Sequence, residues 1–494
     1  MKRIPHRING RRVATGPRTG KVYDPAIGRV TAEVPYASAA EVDQAVAAAT
    51  AAAPGWAATS VARRAAVLFR FRERLGERAA ELAEVITSEH GKVLGDAAGE
   101  VARGLEVAEF ACGMPHLQKG EYSSNAASAI DVFSLRQPLG CVAVISPFNF
   151  PAMVPLWFVP IAVACGNTVV LKPSEKDPSA AGVIADTFAE AGLPDGVLNV
   201  LHGDKEAVDA LLGHPDVDAV SFVGSTPIAR HVHATASAAG KRVQALGGAK
   251  NHMVVAPDAD LDTAADAAVS AGFGSAGERC MAISVVVAVD PIGDELVSRI
   301  VARIARLKVG NGRRAVDLGP LVTREHLAKV TSYLDAGVAA GAELVVDGRT
   351  AVPDGDPDGF WLGPSLFDQV EPDMSVYTDE IFGPVLCVVR VPSLDAALTL
   401  VNENRYGNGT AIFTMDGRVA RTYQNEVKVG MVGINVPIPV PVAPFSFGGW
   451  KDSVFGDLHA YGEDGVRFFT RPKVVTQRWP EPPAGVDLAF TANR

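Results

Sequence analysis

Apolar positions along the chain fall into two successive strand–helix rhythms. In the first, β-branched runs over 141–146, 168–172, 197–201 and 219–223 alternate with helix-period stretches over 153–165, from Lys205 and from Pro227. This is the order of a parallel, doubly wound sheet. The second α/β rhythm begins near Asn251 and runs to about Pro437. Ahead of both, short strands are predicted around the turn pairings Asn9-Gly10 and Pro25-Ala-Ile-Gly28. Helices follow over 39–106, including a long amphipathic one over 61–89 and another from Asp96. Segments 128–135 and 465–479 read as extended, the first leaving the main body. The Pro/Ala-rich last fifteen residues are expected to wrap a surface.

One stretch needs arbitration. No charged residue occurs between Arg136 and Lys172, long enough to raise the question of a membrane span. Pro147, Pro151, Pro155 and Pro160 interrupt it, so a buried strand–turn–helix–strand unit is the better reading.

Length and composition narrow the class. At 494 residues the chain exceeds a single core and predicts two or three domains. A net charge of −10 argues against nucleic acid or an anionic membrane as the main partner. Five scattered cysteines without a C-x-x-C pair suit a reducing compartment, with no disulfide framework and no metal site. The basic N-terminus lacks an apolar core for a secretory signal. The chain is read as starting at its domain, in a cytoplasm of bacterial type.

Candidate chemistry centres on Phe273-Gly-Ser-Ala-Gly-Glu-Arg-Cys280, between a helical segment and the apolar run 283–289. A cysteine at such a junction can face a cleft, and Arg279 beside it is expected to lower its pKa and favour the thiolate. The plain alternative is a buried, inert cysteine. Gly272-Phe-Gly-Ser-Ala-Gly277 spells G-x-G-x-x-G, but it follows a helix and precedes a strand. That reverses the order a phosphate loop requires, so the match is set aside.

Three further stretches end predicted strands. Asn149, in Ser146-Pro-Phe-Asn-Phe-Pro151, is either an amide held to stabilise an oxyanion or a turn-former. Lys172-Pro-Ser-Glu175 places a cation and a carboxylate where open α/β sheets bind ribose, or is a solvated loop pair. Phe222-Val-Gly-Ser-Thr-Pro227 passes from strand to helix, a setting for a helix N-terminus facing phosphate. No Walker, serine-hydrolase or H-E-x-x-H motif occurs, and His231-Val-His233 lacks a third metal ligand.

Together these stretches, with Glu380-Ile-Phe-Gly-Pro-Val385 and Phe445-Ser-Phe-Gly-Gly-Trp-Lys451, resemble the aldehyde dehydrogenase superfamily over about 8–479. The resemblance implies a Rossmann-like NAD-binding domain (1–121 and 141–250), an α/β catalytic domain (251–440) and a small β oligomerisation arm (122–140 and 466–494). It implies Cys280 as nucleophile, with Asn149 and the Cys280 N–H as the oxyanion hole. Phe148, Lys172, Glu175, Gly224, Ser225, Glu380 and Phe382 would bind NAD, and the subunits would form a homotetramer.

One departure decides the branch. Hydrolytic members carry a glutamate before Leu-Gly-Gly-Lys that activates water, whereas Val243-Gln-Ala-Leu-Gly-Gly-Ala-Lys-Asn-His252 puts Leu246 in its place. Leucine cannot accept a proton, so a thioester on Cys280 must await a stronger nucleophile such as a thiol. Gly-Ala-Lys-Asn-His252 and Gly-Glu-Arg-Cys-Met-Ala282 are similar to the CoA-acylating methylmalonate-semialdehyde dehydrogenase branch. The resemblance implies NAD-dependent, decarboxylating conversion of methylmalonate or malonate semialdehyde to propionyl-CoA or acetyl-CoA. Arg279 and Arg103 would hold the substrate carboxylate; the plain reading of Arg103 is a solvated helix cation. A hydrolytic enzyme releasing a free acid is the rival, and a non-catalytic binding protein of the same fold a remoter one.

Overall fold

The computed structural model describes residues 2–14 and 16–479. Two sheets carry the molecule. The first has eight strands, in the order Val454–Phe455, Arg242–Leu246, Ala219–Val223, Cys141–Ile145, Thr168–Lys172, Leu198–Val200, His6–Ile8, Arg11–Val13. Its five inner strands are parallel, and its edges are antiparallel. The strands Cys141–Ile145, Thr168–Lys172 and Ala219–Val223 are buried at every residue, which is why they read as continuous apolar runs rather than alternating ones. Chain order reverses between Cys141–Ile145 and Ala219–Val223, the crevice where such sheets bind nucleotides.

The second sheet has seven strands, ordered Glu343–Val346, Ser365–Asp368, Val385–Val391, Ile283–Val289, Asn251–Val255, Gly409–Phe413, Met431–Ile434. All are parallel except the first. Only Gly247–Lys250 separates the carboxyl end of Arg242–Leu246 from the amino end of Asn251–Val255. The cleft between the sheets therefore collects carboxyl ends from one and amino ends from the other.

The uncharged stretch folds as expected, into strand Cys141–Ile145, helix Met153–Ala164 and strand Thr168–Lys172. No helix among the described residues is long and apolar enough to cross a membrane. The turns at Asn9-Gly10 and 25–28 join strand pairs, as read from the sequence.

Two expectations are corrected. The long helix over 61–89 is two helices, Val61–Glu77 and Ala79–His90, meeting at Arg78 (φ −95°, ψ 8°). Gly76 weakens the helix just before the break. The Arg78 guanidinium bonds Glu81 and Thr187 Oγ1, tying the corner to the Ser179–Glu190 helix. The segment over 465–479 is extended only from Thr470, because Gly462–Phe468 is helical and packs on Met153–Ala164. Strand Thr470–Arg478 pairs with Ile130–Pro138, which pairs with Tyr122–Ala127, in a separate antiparallel sheet. The predicted wrap of the last fifteen residues lies outside the described residues.

Candidate active site

Cys280 is the only one of the five cysteines that is not fully buried, and all five are free thiols. The helix Leu261–Phe273 ends at Gly274, and the chain turns through left-handed Ser275 (φ 53°), Ala276 (φ 52°) and Gly277 (φ 73°). For the two non-glycines this conformation costs roughly 1–2 kcal/mol each, strain of the kind retained at functional turns. A Cβ on Gly277 would lie 2.2 Å from the Gly383 carbonyl oxygen, and one on Gly274 2.4 Å from Arg279 Nη1. The glycines of the false phosphate loop thus permit close backbone packing. Asn251 Nδ2 and Asn408 Nδ2 donate to the Cys280 carbonyl at 2.9 and 3.1 Å, fixing the backbone of that residue.

The expected thiolate is not what the free protein holds. Loss of hydration, with the charge of Glu380, pushes the Cys280 thiol up to about 12, against weaker opposition from backbone N–H groups and Arg279. Arg279 cannot prevail because its guanidinium is paired with Asp96 at 2.7 Å. Loss of hydration also lifts Glu380 to about 7, although the Ala249 N–H donates to its Oε1 at 2.9 Å. Glu278, fully buried between His90 and His326 at 3.6 Å each, is pushed to about 8 for the same reason.

Asn149 is buried, and its side-chain amide has no hydrogen-bond partner among the described residues. Its backbone is pinned instead. Lys92 Nζ donates to the Asn149 carbonyl at 2.5 Å and to Glu100 Oε2 at 2.8 Å, and lies 4.4 Å from the Phe150 ring centroid. Glu100 Oε1 accepts the Ala152 and Met153 N–H groups, at the N-terminus of the next helix. This fully buried ion pair thereby holds both ends of the Asn149 turn and leaves its amide free to donate.

A cavity of about 330 Å³ opens beside Cys280. Cys280, Arg279 and Arg103 line it together, with Phe150, Trp157 and Phe447 among its apolar walls. Arg103 is part-buried, donates to the Val440 carbonyl at 3.0 Å and pairs with Glu106. Gly104 lets its helix, Leu94–Cys112, press onto Met153–Ala164, since a Cβ there would sit 2.4 Å from Leu156. Asn149 does not itself line this cavity; its neighbour Phe150 does.

Phe148, Lys172, Glu175, Gly224 and Ser225 lie at carboxyl ends of strands in the eight-stranded sheet, whereas Glu380 and Phe382 precede Val385–Val391 of the second. Lys172 and Glu175 pair at 3.2 Å, and despite lost hydration the Lys172 charge holds Glu175 below the ordinary carboxylate range. Gly224 and Ser225 lead into the Thr226–Ala238 helix, whose N-cap Ser225 makes no side-chain cap bond. A charged carboxylate for ribose hydroxyls beside an uncapped helix N-terminus for phosphate fits a dinucleotide such as NAD. Ala229, in the first turn of that helix, is fully buried. The Phe148 ring lies 5.8 Å from the ring of Phe382, a left-handed residue (φ 60°). Glu380 and Phe382 share a pocket wall with Cys280. Leu246 closes its strand buried in the apolar cluster against which Cys280 packs.

Sequence reasoning did not find Lys92, Glu100, Asp96 or Asn408. None stands in a motif quoted above, and each acts across a long separation in the chain. Asn251 did carry a signal, inside Gly-Ala-Lys-Asn-His252.

Residues 13–475 match the profile of the aldehyde dehydrogenase family. The malonate-semialdehyde dehydrogenase of Pseudomonas aeruginosa is 58% identical over 97% of each chain. Among solved structures, the methylmalonate-semialdehyde dehydrogenase of Oceanimonas doudoroffii shares 54% identity at a TM-score of 0.96, over 97% of this chain and 99% of that one. A methylmalonate-semialdehyde dehydrogenase assigned in Sinorhizobium meliloti and complexed with NAD shares 52%, again at 0.96 and the same coverage.

Proposed function

Because the chain belongs to the aldehyde dehydrogenase family, we propose that it oxidises malonate or methylmalonate semialdehyde with NAD and passes the decarboxylated acyl group to coenzyme A. The relatives' names support the substrate class. The observation that carries the reading is that Arg103 and Arg279 line one cavity with Cys280. Two cations and a nucleophile joined by apolar walls suit a short aldehyde with a carboxylate at its far end.

The reaction divides among the residues as follows. Cys280 sulfur attacks the aldehyde carbon, and the amide of Asn149 with the Cys280 N–H receives the oxyanion. The thiol must lose its proton first, and in the free protein burial and the Glu380 charge oppose that loss. NAD, when bound, supplies the hydride acceptor and a positive ring charge. Lys172, Glu175, Gly224, Ser225 and Glu380 would hold it, with Phe148 and Phe382 beside them. Arg103 and Arg279 keep the carboxylate in place until its electrons flow into the thioester carbonyl and carbon dioxide leaves. With Leu246 where hydrolytic relatives place their base, the thioester persists until the CoA thiol attacks it.

The strands Tyr122–Ala127, Ile130–Pro138 and Thr470–Arg478 form the arm through which subunits would pair into a homotetramer. Five free thiols suit a reducing, cytoplasmic setting.

The test is NADH formation from malonate semialdehyde with and without CoA, with the acyl product identified. Steady turnover only with CoA, giving acetyl-CoA and carbon dioxide, is the expected outcome. A single burst of NADH without CoA would show Cys280 acylated and waiting. Equal turnover without CoA, giving a free acid, would overturn the acyl-transfer reading.

A further inference from the structure

We infer that Asp96 is the positioning residue that aims Arg279 at the substrate carboxylate; this rests on the proposed role of Arg279. Asp96 stands in the first turn of the Leu94–Cys112 helix, and its two oxygens serve two masters in the nucleophile turn. Oδ1 accepts from Arg279 Nη2 at 2.7 Å, and Oδ2 accepts the Ser275 N–H at 2.9 Å. A guanidinium held through one nitrogen keeps its remaining donors for an anion. Nε and Nη1 of Arg279 donate to no group among the described residues.

The backbone completes the cradle. The Arg279 guanidinium lies flat against Gly274, where a Cβ would fall 2.4 Å from Nη1, 2.6 Å from Cζ and 2.8 Å from Nη2. Fixing matters here because Arg279 stands between two cavities. One holds Cys280 and Arg103. The other, about 430 Å³, is lined by Arg279 and Asp96 with Asp266, Asp317, Arg303 and Arg306. Released from Asp96, the guanidinium can turn into this second cavity, towards Asp317 and the Asp266 carboxylate that pairs with Arg303, and the Cys280 cavity loses one of its two cations. Asp96 lines both cavities, and its contact fixes the guanidinium where they adjoin, from the helix that also carries Arg103. The spacing of carboxylate and second arginine along that helix then sets where the substrate's anionic end lies relative to Cys280.

The test compares an acidic substrate with a neutral one of equal length. For wild type, Asp96→Asn, Gly274→Ala and Arg279→Gln, kcat/KM is measured on malonate semialdehyde and on propanal with saturating NAD and CoA. Asn keeps an acceptor for Ser275, and Gly274→Ala leaves Asp96 intact while displacing the guanidinium, so either variant carries the test alone. The expected result is at least a tenfold fall in the malonate-semialdehyde to propanal ratio in both, carried by KM. Equal loss on the two substrates would mean Asp96 acts only on the nucleophile turn, overturning the inference. An unchanged ratio in Asp96→Asn and Gly274→Ala, with a collapsed ratio in Arg279→Gln, would overturn it while leaving the role of Arg279 standing. An unchanged ratio in all three would remove that role and the inference with it.

Discussion

Two residues before Cys280, Glu278 is a carboxyl group with no exposure and two neutral imidazoles for neighbours. Burial holds it protonated to about pH 8, whereas an unfolded chain ionises it near 4.5. Between those values the folded state binds the extra proton, so this group's contribution is fully present below pH 4.5 and is lost as pH rises towards 8. The slope is about 1.4 kcal/mol per pH unit. Glu278→Gln removes that slope while keeping the shape. Thermal melts of the free protein should therefore show the variant gaining on wild type steadily from pH 5 to pH 8; a constant difference would mean Glu278 is ionised in the fold. His90 and His326, both held below the ordinary histidine range by burial, are common to both proteins and cancel in the comparison. The same physics limited what the sequence could say of Cys280. Arg279 next to it suggested a thiolate, but adjacency in the chain reveals neither the lost hydration nor the Asp96 carboxylate that occupies the arginine.

At the scale of elements, strands buried on both faces were legible because each is an unbroken apolar run, and the helices between them because of their period. The corner at Arg78 was not, since its partners Thr187 and Glu190 are remote in sequence. The turn carrying Asn149 was visible through its prolines, while the Lys92–Glu100 pair that holds it was not. Lys92→Met tests that pair. Removing one partner of a buried ion pair costs about 3–5 kcal/mol of stability, and loss of a well-placed oxyanion donor about 2.7–4 kcal/mol of transition-state stabilisation. We expect kcat to fall by one to two orders of magnitude, less than full loss of the donor because the turn relaxes partway, with KM for NAD within a few-fold of wild type. A folded variant with unchanged kcat would show that the Asn149 turn holds its own shape.

For the whole molecule, the three-stranded arm exposes apolar side chains that a solitary subunit would leave in water, among them Tyr122 at 63% and Val474 at 67%. Light scattering should give a multiple of the 51.6 kDa chain mass, and Val474→Asp should shift it towards one copy. A monomeric wild type would remove the arm's proposed role. The strand pairing of this arm joins residues more than 300 apart in the chain, so the sequence could suggest extended segments but not that they meet. The buried Leu246 sits at the seam of the two large sheets. In the proposed reaction, oxidising an aldehyde releases far more free energy than forming a thioester consumes. A carboxylate at that strand end would let water dissipate the remainder as heat. An apolar side chain there leaves it stored in an activated acyl group, so the product emerges ready to react and needs no separate energising step before it is used.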